Sequence, residues 1–278
     1  MKDFLYYKPK TIEEACEILT RYNGEASILN GGTDVIVRIH DGLNHPKALV
    51  DIKGISGLKT ISFSKEDGLV LGACANMNAV INHKDILENY QIIAEAAHTV
   101  GSCQVRNRAT IIGNITNASP LADTATPLLA LDAVVEVFGV EGPREISIND
   151  FFVFVRRTSL KVGDVVTAVK VPYYKELKGS YQKHSRRDAV DLATVCASVL
   201  MVDGEIKIAL GSVAPTPIRC RKAEDFLRGK KLTEELIKEA THRALEEVSP
   251  ISDVRATKEY REEIARVLVS RGLRDLMG

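Results

Sequence analysis

The texture of the sequence changes at about residue 58, and no single sheet type satisfies both sides of that change. Before it, helical and extended spacings alternate. Thr11 stands ahead of a helical stripe of Ile12, Ala15, Cys16, Ile18 and Leu19, with Glu14 placed three residues after the cap, and Asn23-Gly24 ends the run. The short apolar run Ala26-Ser27-Ile28-Leu29 follows, then Asn30-Gly31-Gly32-Thr33-Asp34, a second apolar segment over 35–39 and a strand-like stretch over 48–52. This is βαβ texture. After residue 58 the pattern turns to paired strands: 58–63 and 68–73 flank the polar Lys65-Glu66-Asp67-Gly68 and predict a hairpin.

Further along, helical spacing is found at about 78–83 and 92–100, and strands are predicted at 133–138 and 165–171, the latter closed by Pro172. Between them, residues 101–127 are rich in Gly, Asn, Thr, Ser and Pro and form the least regular part of the chain. Long irregular segments inside a compact domain usually carry function. Beyond Pro172-Tyr173, where the main boundary is placed, strand-like runs at 180–184, 192–202 and 205–213 include an Asp203-Gly204 turn. Two helices follow, one behind Thr233 and one through Tyr260, Ile264, Val267 and Leu268, which gives a βββαα-like tail.

Composition removes several classes of function. Over 278 residues, 37 Lys and Arg balance 37 Asp and Glu, and the only basic clusters are short ones such as Arg186-Arg187 and Lys230-Lys231, so no nucleic-acid partner is expected. No stretch approaches the roughly 20 apolar residues of a membrane span, and Met1-Lys2-Asp3-Phe4 opens no signal-peptide run. The expectation is a cytoplasmic protein with reduced thiols. Cys16, Cys74, Cys103, Cys196 and Cys220 form no Cys-x-x-Cys pair, and the six histidines form no His-Glu-x-x-His. A Gly-x-Ser-x-Gly elbow is absent as well, so no metal ligand and no catalytic side chain is assigned.

Two loops carry the chemistry that remains. Gly31-Gly32 lets the backbone approach a ligand closely, and successive N–H groups in such a turn form a nest for an anion, with Thr33 and Asp34 beside it. The pattern is neither Gly-x-Gly-x-x-Gly nor a Walker loop; a tight strand-to-helix turn remains the structural alternative. The second loop, from Gln104 through Asp123, mixes Gly113 with hydroxyl, amide and carboxylate groups. That inventory suits pyrophosphate oxygens at Thr110 and the backbone, ribose hydroxyls at Asp123 and a heterocycle edge at Asn114.

Taken in order, these motifs resemble the FAD-binding medium subunit of bacterial molybdenum hydroxylases, most closely the xanthine dehydrogenase type. The residues that carry the resemblance are Phe4-Leu5-Tyr6-Tyr7-Lys8-Pro9, the 30–34 turn, Gln104-Val105-Arg106-Asn107, the 109–114 segment, Asn117-Ala118-Ser119-Pro120 with Asp123, Lys183-His184-Ser185-Arg186-Arg187 and the 213–219 segment. The resemblance implies an α+β fold: a two-part FAD-binding domain of the vanillyl-alcohol-oxidase type over 1–172, with subdomains of about 1–57 and 58–172. A smaller mixed sheet-and-helix domain of the molybdenum-hydroxylase flavoprotein type would follow over 173–278.

The resemblance also implies FAD contacts. Ser27, Ile28, Leu29, Asn30, Gly31, Gly32, Thr33 and Asp34 would hold the pyrophosphate from one side, and Ala109, Thr110, Ile111, Ile112, Gly113 and Asn114 from the other. Asn117, Asp123, Val166 and Lys183 match further FAD-contacting positions, with Lys183 near the flavin's polar edge. Val100 falls where some relatives place an aromatic on the ring face, and Ile112-Gly113 replaces the usual Gly-Gly pair.

The implied partners are a molybdenum-cofactor large subunit and an iron–sulfur small subunit carrying the 2Fe-2S clusters, with NAD as co-substrate. Arg106, Arg108, Arg186 and Arg187 could attract NAD phosphates or an acidic partner, or be solvated or internally paired. Carbon-monoxide or nicotinate enzymes of the same group, a free-standing FAD reductase of the cell-wall precursor type and a scaffold without FAD are the competing expectations.

Overall fold

A computed structural model describes residues 3–277. The alternating first stretch forms β1 (Leu5–Tyr7), α1 (Ile12–Arg21), β2 (Ala26–Leu29), α2 (Val35–His40) and β3 (Ala48–Asp51). Its three strands are all parallel, in the order β1-β3-β2, as crossover helices require. Thr11 caps α1 by accepting from the Glu14 N–H at 3.2 Å, while the Glu14 carboxylate reaches one residue past a capping box to the Lys10 N–H at 2.7 Å. Ala15, Cys16, Ile18 and Leu19 form the buried stripe of this helix.

The paired-strand stretch begins with the expected hairpin of β4 (Ile61–Ser64) and β5 (Gly68–Gly72), Ser64 opposite Gly68. Then come α3 (Met77–Ile81), α4 (Lys84–Asn89) and α5 (Gln91–His98). The 101–127 segment is more regular than its composition suggests: it holds α6 (Cys103–Arg106), α7 (Ile111–Thr116) and the start of α8 (Ala125–Ala130). None exceeds six residues, too few for an apolar period to register. Side-chain caps fix two of the starts, Ser102 Oγ accepting from Val105 N–H at 3.3 Å and Thr110 Oγ1 from Gly113 N–H at 2.9 Å. Pro127 lies in the first turn of α8, where no intrahelical N–H is needed.

The stretch closes with β6 (Val134–Gly139), β7 (Gly142–Ser147), α9 (Ile148–Phe151), β8 (Phe152–Phe154), β9 (Arg157–Thr158) and β10 (Val165–Val171). A five-stranded antiparallel sheet runs β4-β5-β10-β6-β7, and β8 and β9 make a separate small hairpin.

The tail contains β11 (Leu177–His184), β12 (Val195–Val202), β13 (Glu205–Gly211), β14 (Ile218–Arg219), α10 (Arg221–Leu227), α11 (Glu234–Leu245) and α12 (Lys258–Asp275). It carries one strand and one helix more than the βββαα pattern, both too short to read from spacing. The β12 strand is apolar almost throughout because both its faces are covered. Cys196, Leu200 and Val202 join the core of the first two sheets, whereas Val195, Ala197 and Val199 pack among the residues of α10, α11 and α12. At the same junction the buried Arg219 binds Glu224 Oε1 at 2.7 Å, Asp132 Oδ1 at 2.8 Å and the Leu129 carbonyl at 2.7 Å.

Cys16, Cys74, Cys196 and Cys220 are buried and Cys103 is exposed. Burial pushes the Cys74 thiol up to about 11 and Cys196 up to about 12, away from reactive thiolate character. No helix among the described residues is long and apolar enough to cross a membrane.

Candidate functional site

The site forms where the two predicted loops meet. Strand β2 ends at Leu29, and the chain leaves the C-terminal end of the parallel sheet through the 30–34 turn before α2 begins. Asn30 reaches across to the second loop: its Nδ2 donates to the Ala73 carbonyl at 2.6 Å and to Thr110 Oγ1 at 3.0 Å. Thr110 is therefore occupied twice, as the cap of α7 and as the tie between loops.

At Gly31 the two backbones touch: a Cβ there would lie 2.3 Å from the Arg108 carbonyl oxygen. Gly32 sits at φ +83°, a conformation that L side chains rarely adopt. Among the described residues, no backbone or side-chain acceptor takes the N–H groups of Gly31, Gly32, Thr33 or Asp34. Those donors, with the uncapped N–H groups that open α7, are suited to an anion held between the loops.

A cavity of about 940 Å³ runs between these loops. It lies in the upper range for small-molecule pockets, large enough for a dinucleotide. Ser27, Ile28, Asn30, Gly31, Gly32, Thr33 and Asp34 line it from one side. From the other it is lined by Val100, Ala109, Thr110, Ile112, Gly113, Asn114, Asn117, Asp123 and Val166. Val166 faces it from a bulge in β10, where the register against β6 shifts between Val166 and Ala168. Asn30 Oδ1 is buried without a partner, an acceptor that a ligand N–H or O–H would satisfy. The free N–H groups and this orphaned acceptor both fit FAD.

Three of the predicted positions are not brought to this cavity. Ile111 is fully buried in the core, Leu29 lies at the end of β2 with its carbonyl accepting from Lys53 Nζ at 3.4 Å, and Lys183 lines a neighbouring cleft. The Lys183 ammonium already has three acceptors: Asp123 Oδ2 at 3.1 Å, the Thr99 carbonyl at 3.1 Å and the Asp191 carbonyl at 2.9 Å. Asp123, which is 4% exposed, also accepts from the Tyr181 hydroxyl at 2.6 Å. Burial pushes its carboxyl above the usual range, against the pull of the Lys183 charge and of hydrogen bonds from Tyr181 and Lys183.

Other side chains are set by their neighbours. Asn114 Oδ1 accepts from the Thr124 hydroxyl at 2.6 Å, which turns its amide NH₂ outward as the donor. At the rim, Asn117 Nδ2 donates to Asp34 Oδ1 at 2.8 Å and Arg156 donates to Asn117 Oδ1. Of the four arginines singled out, Arg106 holds the Val100 and Gly101 carbonyls at 3.0 and 3.2 Å, and Arg186 and Arg187 pair with Asp191. Those three are internally paired.

Sequence reasoning missed Tyr181, Arg156 and Arg255, which come from distant segments. Tyr181 alone left a signal: it stands two residues before Lys183, on the same face of β11. The neighbouring cleft, of about 680 Å³, is lined by Gln91, Glu95, His98, Lys183, His184 and Asp188 among others. It shares Arg187, Val190 and Asp191 with the first cavity.

The comparisons with known proteins agree with this geometry. Residues 2–174 match the family described as the FAD binding domain in molybdopterin dehydrogenase, and residues 180–276 match the CO dehydrogenase flavoprotein C-terminal domain. The chain is 32% identical to the xanthine dehydrogenase FAD-binding subunit of Escherichia coli O157:H7, over 98% of this chain and 95% of that one. It is 31% identical to the carbon monoxide dehydrogenase medium chain of Hydrogenophaga pseudoflava, over 97% and 96%. A solved structure of carbon monoxide dehydrogenase from Hydrogenophaga pseudoflava superposes with a TM-score of 0.95 at 30% identity, covering 99% of this chain and 97% of that one.

Proposed function

Because the chain belongs to the family of FAD-binding subunits of molybdopterin dehydrogenases, we propose that it is the flavoprotein of a xanthine or purine dehydrogenase that works with NAD⁺. Its partners are then a molybdenum-cofactor large subunit and an iron–sulfur small subunit. When bound, FAD supplies the chemistry that takes electrons from the iron–sulfur clusters and delivers a hydride to NAD⁺. The polypeptide supplies binding and electrostatics. The N–H groups of the 30–34 turn and the start of α7 bind the pyrophosphate, Asn30 Oδ1 and the Asn114 amide orient polar edges, and Val100, Ile112 and Val166 exclude water. In this reading residues 1–172 form the FAD-binding domain and 173–278 the smaller one.

The observation that carries the proposal is the cavity of about 940 Å³ lined by the 30–34 turn on one side and by residues of the 109–114 segment on the other. NAD⁺ is supported by the second cleft, which adjoins the first through residues of the 185–192 loop and has room for an acceptor. A partner set of the carbon-monoxide type is the second reading, favoured by the equally extensive likeness to that enzyme's medium chain.

The test is to purify the full chain, add FAD and titrate with NADH. Uptake of FAD with a flavin absorption band is expected, followed by bleaching with NADH. No uptake overturns FAD binding; uptake without bleaching overturns the NAD⁺ link and leaves another acceptor. Co-purification from the source organism should recover molybdenum- and iron-containing subunits, and recovery of the chain alone would favour a free-standing reductase.

A further inference from the structure

Resting on the FAD reading above, we infer that Tyr181 is a positioning residue: with Lys183 it fixes the charge and orientation of Asp123 in the cavity wall. Both donors come from β11, outside the half of the chain that holds the pyrophosphate loops. The two bonds are specific, one to each carboxylate oxygen: Tyr181 Oη to Oδ1 at 2.6 Å and Lys183 Nζ to Oδ2 at 3.1 Å. A carboxylate has about four lone-pair sites, so the two left over are free for the cavity side. Lys183 in turn is held by the Thr99 and Asp191 carbonyls, so its ammonium cannot follow Asp123 if it turns. The lysine thus acts through Asp123 from the far side of the wall.

The groups that face this unit are few. From β11 come Tyr181 and Lys183. From β12 comes the Cys196 thiol, kept neutral by burial. From the 185–192 loop comes Asp191, whose carboxylate lies 3.7 Å from Arg187 and 3.9 Å from Arg186 and accepts the Leu192 N–H at 2.9 Å. On α5, Glu95 accepts from the Tyr181 N–H at 3.3 Å and faces the other cleft. Lys183 is therefore the one cation in direct contact with Asp123 among the described residues. The Tyr181 hydroxyl is the one neutral donor, and removing it tilts Asp123 toward its protonated form.

The test is the FAD dissociation constant of the full chain between pH 5 and 9, read by flavin fluorescence, for wild type, Tyr181→Phe, Lys183→Gln and Asp123→Asn. Wild-type affinity is expected to fall as pH drops through the titration of Asp123. In Tyr181→Phe the fall should move upward by about 1–2 pH units, the equivalent of one lost hydrogen bond to a charged group. Lys183→Gln must move it further in the same direction, and Asp123→Asn must flatten it.

A packing role for Tyr181 would lower affinity at every pH alike, so a Tyr181→Phe profile that follows wild type overturns the inference. If that variant does not fold, an unmoved Lys183→Gln profile overturns it equally. A wild-type chain that takes up no FAD overturns the functional reading and this inference together; wild-type binding with unmoved variants overturns this inference alone.

Discussion

The two ends of the cavity are built by different means. At the 30–34 turn the walls are main chain: Gly31 presses against the Arg108 carbonyl, and the two loops are tied through Asn30 and Thr110. At the Asp123 end the wall is a set of side chains, a carboxylate fixed by Tyr181 and Lys183 from a strand about 60 residues away. The first end depends on shape and the second on charge, and they should fail differently.

The largest effect is expected from Lys183→Met, which strands the Asp123 carboxylate in a buried setting. Urea denaturation at pH 8 should show a loss of about 3–5 kcal/mol. The deficit should shrink toward pH 5, because burial already raises the Asp123 carboxyl and loss of the ammonium raises it further. A deficit that is flat with pH would mean that the pair is not held by charge.

Gly31→Val should cost about 1–3 kcal/mol by overpacking and abolish FAD retention, with no pH dependence between 5 and 8. A variant that still retains FAD would show that the loops need not touch. Thr110→Val removes the cap of α7 and the Asn30 contact together, and should lower stability by about 1–2 kcal/mol in thermal melts. The smallest effect concerns the 185–192 loop, where the β-branched Val190 sits at φ +54°. Val190→Gly relieves that strain and should stabilise by up to about 1 kcal/mol, provided the melt follows the whole chain.

What could be read in the sequence follows the same division. The 30–34 turn is local, so its paired glycines announced it, and the apolar runs of β2 and β3 announced the parallel strands on either side of α2. The contact of Asp123 with Tyr181 is made by tertiary packing, and no spacing rule encodes a partner 58 residues on. Lys183 was identified through resemblance, yet its ammonium faces away from the cavity, because Thr99 and Asp191 supply acceptors that the sequence does not place beside it. The short helices α4, α6, α7 and α10 were hidden for another reason: four to seven residues complete at most two turns, too few for periodicity, and only α6 and α7 start at a side-chain cap.

A strand covered on both sides has further consequences for how the chain comes apart. If the tail separated from the first half, Cys196, Leu200 and Val202 on one side, and Ala122, Ala125 and Leu129 opposite, would lose their shared dry environment at once. The two halves should therefore melt in a single cooperative transition, and a protease cut after Pro172 should leave the pieces associated. A fragment ending there would be expected to aggregate. The division between flavin cradle and tail is one of architecture, while in folding the molecule should behave as a single body.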